Sequence, residues 1–287
     1  MSRAGILALI CWTAIGQVKD AGNATFCIGS NEPCSAEGGK RAVAPGIDAK
    51  VHVASATRSP WINANAWRFR RDPAAMYVYG DPGTKSALAL AEAYAYGVKA
   101  AVRSPEDSSR AAAMLRFLKS LKDGGKSPVT DVSFVDDGSL PAGEVMNLLS
   151  RRNILFRRLG ADEPRNGKVI ELGSAQFPKS LANNPSEFAY QVRKWLGDEN
   201  RTIRIYGSEN VLAYVTAQNG LTRVHLLNYT ANPVEGIRVK VRGRFRGIEL
   251  NVFDVPGAKP DDLASTSQAT EFTIAAMNEY AVIDLKP

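Results

Sequence analysis

The chain predicts an α/β fold: a mostly parallel α/β layer followed by a C-terminal antiparallel β-sandwich. Two observations carry this. Between about 61 and 200, short β-rich runs alternate with amphipathic helical stretches, as parallel strands with crossover helices require. From about 201, strand-like runs follow one another with only turn residues between them. The layer could be Rossmann- or flavodoxin-like, or the remnant of a barrel. A length of 287 residues, 45% hydrophobic and 23% charged, suits one large domain or two modest ones and excludes disordered and collagen-like classes. A net charge of +7 favours anionic partners but falls short of a dedicated nucleic-acid binder, so no nucleic acid is expected. Two histidines and three cysteines leave little material for a metal site, and neither metal nor cofactor is expected.

Residues 1–16 read as a signal peptide. Arg3 supplies the basic n-region, GILALICWTAIG the apolar core and Ala14-Ile15-Gly16 a small-x-small cleavage site. The run is too short to cross a bilayer of about 30 Å. The expectation is a secreted or periplasmic protein with no integral membrane span. Cleavage removes Cys11 and leaves Cys27 and Cys34 in the turn-rich segment CIGSNEPC, where a disulfide closing a short loop is expected. Two unpaired thiols are the alternative.

Residues 17–60 read as an irregular lead-in with one strand, IDAKVHVA over 47–54, which alternates with period two. The α/β domain over 61–200 then opens on a segment mixing aromatic and basic residues. A strand at 76–79 leads through a Gly/Pro turn into an alanine-rich helix over 85–96, with Gly97 as C-cap. The 76–96 run is similar to a P-loop, but Thr84 stands where the glycine before Lys85 is needed, so helix capping accounts for it. A helix over 105–121 carries Ala111, Met114, Leu115 and Leu118 at helical spacing, with Ser104 as N-cap. Gly124-Gly125 breaks the chain. Strands at 131–135, 154–157 and 168–172 and helices at 141–151 and 185–196 complete the layer, and Gly197-Asp198-Glu199-Asn200 forms a polar joint. Strands at 203–206, 211–216, 222–228, 236–242, 248–254, 271–275 and 279–285 make the sandwich domain, 201–287.

Three groups of residues could carry chemistry. Asp136 and Asp137 end a strand, where α/β folds place ligands, and Glu144 follows on the next helix; together they are the carboxylate set a glycoside hydrolase would draw on. An acidic turn capping that helix explains the same residues. Trp61, Asn63, Asn65, Trp67 and Arg68 combine aromatic faces with amide and guanidinium donors, the mixture that binds sugar hydroxyls; core anchoring is the alternative. Arg238, Lys240 and Arg242, with Arg244 and Arg246, alternate with Val239, Val241 and Phe245. Period two puts these charges on one strand face, which could meet an acidic glycan or a membrane or be a solvated surface. His52 and His225 lie on strand patterns and read as packed or surface residues.

The stretches DVSFVDDGS (131–139), GEVMNLLSRRNILFRRL (143–159), the 185–215 run, VHLLNYTANPVEGIRVKVRG (224–243) and NEYAVIDL (278–285) resemble the C-terminal parts of secreted bacterial glycoside-hydrolase-like proteins. In glycosidases of the beta-galactosidase type, an α/β domain resembling the trimerisation (amidotransferase-like) domain precedes a small β-sandwich. The resemblance implies a carbohydrate or glycan partner and a homo-oligomer. A complete catalytic barrel needs about 250 residues of its own, more than precede Asp131. The expected function is therefore a secreted, carbohydrate-associated protein, accessory or catalytically reduced. The alternatives are a compact glycoside hydrolase using a carboxylate pair, and a non-enzymatic oligomerisation or scaffold module.

Overall fold

The computed structural model describes residues 17–20, 23–29, 38–48, 61–104 and 108–287. The expected signal peptide, Cys34, His52 and most of the strand expected over 47–54 lie outside them. β1 (Gln17–Asp20) pairs antiparallel with β2 (Asn23–Ile28); β3 (Lys40–Ala42) follows, and β4 (Gly46–Asp48) pairs with β5 (Trp61–Asn63). The short helix α1 (Ala66–Arg71) leads into β6 (Met76–Tyr79), α2 (Ser86–Tyr96) and β7 (Lys99–Arg103). These build a five-stranded mixed sheet of order β1-β2-β7-β6-β3, in which β7, β6 and β3 are parallel, β2 runs against them, and β1, antiparallel to β2, runs with them again. The lead-in expected to be irregular thus supplies strands to the first sheet. Its apolar run, Phe26-Cys27-Ile28, is fully buried but too short to display a period.

α2 is alanine-rich because it is buried on nearly every side: residues 86–93 and Ala95 are all inaccessible. It ends as the sequence predicts, with Gly97 at φ 67° and its amide donating to the Tyr94 carbonyl. α3 (Ser108–Ser120) packs on α2, and β8 (Ser127–Pro128) leaves to join a later sheet. β9 (Val132–Val135), β10 (Phe156–Leu159) and β11 (Val169–Ile170) form an all-parallel sheet of order β10-β9-β11, with α4 (Leu140–Arg151) connecting β9 to β10. α5 (Pro185–Leu196) sets Phe188 and Val192 into the same core as Phe134, Met146 and Phe156. The strand expected at 154–157 begins two residues late, because Asn153 (φ 52°) turns the chain there.

The last third contains β12 (Ile203–Tyr206), β13 (Val211–Gln218), β14 (Leu221–Asn228), β15 (Val234–Arg242), β16 (Gly247–Val252), β17 (Asp261–Ser265), β18 (Ala269–Met277) and β19 (Tyr280–Lys286). They form two antiparallel sheets, β12-β15-β18-β17 and β16-β19-β14-β13-β8. The second sheet is buried on both faces. Val211, Ala213, Val215, Leu226, Ile283 and Leu285 meet the first sandwich sheet, whereas Leu212, Leu227, Tyr229, Tyr280 and Val282 enter the core built by α2 and α3. Apolar packing therefore runs unbroken from the α/β layer into the sandwich.

Candidate functional site

The six residues of α1 sit where the elements of the α/β layer meet, and each long side chain leaves in its own direction. Phe69 points into the first core, 4.7 Å edge-on from Tyr77. The Tyr77 hydroxyl shares its one proton between the carbonyls of Arg68 (2.7 Å) and Asp72 (2.9 Å), tying β6 to the end of the helix. Arg70 donates to the Phe156 carbonyl and lies over the Phe156 ring at 4.4 Å. Arg71 grips Asp136 with two hydrogen bonds, 2.8 and 2.7 Å, and reaches the Ser139 carbonyl at 2.7 Å. The guanidiniums of Arg68 and Arg71 lie over the Trp67 ring at 4.2 and 4.9 Å.

Those contacts bring the two predicted groups together. α4 presents Glu144, Asn147 and Arg151 to this region. The Asn147 amide donates to the Ile62 carbonyl (3.2 Å), and the Arg151 guanidinium lies 4.1 Å over the Trp61 ring. Glu144 is exposed and interacts electrostatically with both Arg68 and Arg151. Trp61, Asn63, Trp67 and Arg68 are half-buried, so the segment is neither a free surface nor a pure core anchor. Burial, with Arg152 as a like-charged neighbour, pushes the Arg151 guanidinium down to about 10. Two buried atoms on this helix face lack any hydrogen bond, the acceptor Asn147 Oδ1 and the donor Arg151 Nη1.

The carboxylates differ sharply. Asp136 has a fully covered side chain and also accepts from Arg158 Nε (3.0 Å) and the Gly138 amide (3.0 Å). Burial opposes its ionisation, but the hydrogen bonds from Arg71 and Arg158 outweigh that and hold it below the usual carboxylate range. Asp137 accepts from the Ser139 amide at 2.9 Å, and Ser139 in turn caps α4. Asn63 donates to Asp48. Asn65 is fully buried: its amide nitrogens, backbone and side-chain, both donate to Glu92 at 2.8 Å.

Glu92 is the residue the sequence did not single out. It is fully buried on α2 and also accepts from the hydroxyls of Tyr79 (2.6 Å) and Tyr229 (2.5 Å). Desolvation raises its carboxyl despite those four hydrogen bonds. Its only sequence signal was an acid inside an alanine-rich helix. A shallow apolar hollow of about 240 Å³, lined by Phe117, Leu250, Val252, Val255, Pro256 and Ala258, lies elsewhere and holds none of the predicted residues. Among the described residues there is no cluster of three His, Cys, Asp or Glu side chains able to hold a metal, and no helix is long and apolar enough to cross a membrane.

The fold is mixed α/β with antiparallel sheets. It superposes on an alpha-L-fucosidase, isoenzyme 2 from Paenibacillus thiaminolyticus, with a TM-score of 0.57 at 8% identity, over 74% of this chain and 60% of that one. The chain thus spans about 60% of the fucosidase's length. An alpha-amylase from H. orenii matches with a TM-score of 0.21 at 12% identity, over 77% of this chain and 56% of the amylase. The maltogenic alpha-amylase AmyB from Thermotoga neapolitana gives 0.19 at 8% identity, over 74% and 51%. At 8% identity the likeness to the fucosidase is one of fold alone. No family model and no curated protein matches the chain.

Proposed function

We propose that this chain is a secreted, carbohydrate-associated protein in which a glycoside-hydrolase-like fold serves binding rather than hydrolysis. Its ligand surface is the seam between α1 and α4. The observation that supports this best is the meeting of Trp61, Trp67, Arg68, Glu144 and Arg151 at that seam. Aromatic rings, guanidinium donors and one exposed carboxylate are the groups that hold a sugar by stacking and by its hydroxyls. The α/β layer ahead of a sandwich also supports the finer likeness to the C-terminal part of beta-galactosidase-type proteins.

The carboxylates favour binding over catalysis. Glycoside hydrolysis needs one carboxylic acid kept protonated and a second left ionised. Asp136 is pinned in its ionised form by two guanidiniums, and Glu144 lies among cations rather than in an apolar pocket. Trp67 is a poor probe because it is half-buried against Gly143, so its truncation disturbs the fold as well. Glu144→Gln keeps the shape and removes the charge of an exposed group. On a glycan array, wild type should retain a defined set of glycans and Glu144→Gln should bind them about tenfold more weakly, ~1.4 kcal/mol, with an unchanged Tm. Turnover of aryl glycosides by wild type that is lost in Glu144→Gln would instead establish the hydrolase.

A further inference from the structure

The outer face of the sheet β12-β15-β18-β17 has a chemistry that the α1–α4 seam does not share. Ile237, Val239 and Val241 point into the sandwich core, so Arg238, Lys240 and Arg242 point out. Register places Arg204 of β12 beside Lys240 and Tyr206 beside Arg238. The chain continues beyond β15 with exposed Arg244 and Arg246 on either side of Phe245, which is packed into the core. Glu271 sits between Arg238 and Lys240 at 2.6 Å from each, and Asp261 of β17 stands on the same face beyond Thr273, two strands from Arg238. Among the described residues, no carboxylate lies within ion-pair range of Arg204, Arg242, Arg244 or Arg246. Tyr206, 45% exposed, stands beside Arg238, away from Arg242 along β15, and offers an aromatic ring next to a guanidinium.

We infer that this face is a second binding surface, for an extended anionic polysaccharide. The polymer class rests on the carbohydrate reading; the need for a polyanion does not. Side chains on one face recur every ~6.6 Å along a strand and every ~4.8 Å between strands, so Arg238, Lys240 and Arg242 of β15 with Arg204 of β12 form a short lattice rather than a pocket, which Arg244 and Arg246 extend in the connection to β16. Such a lattice meets repeated charges on a linear chain better than a single phosphate or carboxylate. Guanidinium groups pair bidentately with sulfate and carboxylate, and the tyrosine ring gives a sugar face something to stack on.

The test uses heparin as a sulfated polysaccharide probe, by affinity retention and by titration at 0.15 M salt (about physiological ionic strength). Replacing Arg238, Arg242 and Arg244 by serine should weaken heparin binding about tenfold or more, each exposed contact contributing a modest factor. A control with the same charge loss, Arg116, Lys99 and Lys119 to serine on other surfaces, should bind like wild type. Equal weakening in both variants would overturn the inference, because bulk charge would then explain the binding. So would tighter binding of a single-stranded oligonucleotide than of heparin, or no binding of heparin at all. Glu144→Gln should leave heparin binding unchanged; a failure of the seam reading would show on the glycan array without moving this result.

Discussion

His225 shows what burial does to a single titratable side chain. It lies on the helix-facing side of β14, with Nδ1 2.6 Å from the Tyr280 hydroxyl and the rings of Tyr214 and Tyr94 within 6.3 Å. Burial, helped by the neighbouring Arg223 cation, pushes it down to about 3. The folded ring is therefore neutral at ordinary pH and shares one hydrogen bond with the Tyr280 hydroxyl through Nδ1. In the unfolded chain a histidine takes up a proton near pH 6.5. The stability that this neutral ring contributes is complete above pH 6.5 and is lost as pH falls toward 3. Between pH 6.5 and 5 the loss from this one group should be about 2 kcal/mol. Urea unfolding at pH 7 and pH 5 checks it: His225→Gln should show a smaller difference than wild type. The depressed carboxylates Asp136 and Asp198 titrate below that window, so equal pH dependence in both proteins would rule the assignment out.

Among elements, the contact between α1 and α4 holds the candidate site together, and glycine makes it possible. A Cβ on Gly143 would sit 3.1–3.4 Å from three atoms of the Trp67 ring. Gly143→Val should therefore cost about 1–3 kcal/mol through overpacking and shift tryptophan fluorescence as Trp67 is pushed toward water. Unchanged stability and emission would mean that the two helices do not pack as described. α4 was expected over 141–151 and forms there, starting one residue earlier behind a Ser139 cap with Pro141 in its first turn. So were α2, through the Gly97 stop, and α5, through its Phe188/Val192 spacing. α1 was not: AWRFRR has no apolar period, because its side chains serve three different neighbours. β17, Asp261–Ser265, was missed for the opposite reason, being an exposed edge strand with no buried face to leave a pattern. The Trp61–Arg68 segment was visible as composition, but its partners Arg71, Asn147 and Arg151 looked like ordinary helix residues.

At the scale of the whole molecule, strand-only patterning after residue 200 led to an expected boundary, yet the packing crosses that position repeatedly. Tyr229, beyond β14, donates to Glu92 of α2 and accepts through its carbonyl from Lys85 Nζ at 3.4 Å. Asp131 accepts from the Thr202 amide at 2.8 Å and its hydroxyl at 2.7 Å, and Arg201 donates to the carbonyls of Arg152 and Asn153. β8 is an edge of the sandwich although it precedes β9 in the chain. With one sheet buried on both faces, stripping away α2 and α3 would expose Leu212, Leu227, Tyr229, Tyr280 and Val282 to water. The two parts should therefore unfold as a single cooperative unit, and the tryptophans allow a direct check. Trp61, Trp67 and Trp195 lie in the α/β layer and no tryptophan of the sequence falls between 201 and 287, so tryptophan fluorescence does not report the sandwich. Ile283 is fully buried between the two sandwich sheets. Ile283→Ala should destabilise by about 2–5 kcal/mol, and in a single unit the fluorescence midpoint in urea must fall by the matching amount. A fluorescence midpoint that stays at the wild-type value while circular dichroism shows early loss of β-structure would mean that the sandwich folds on its own.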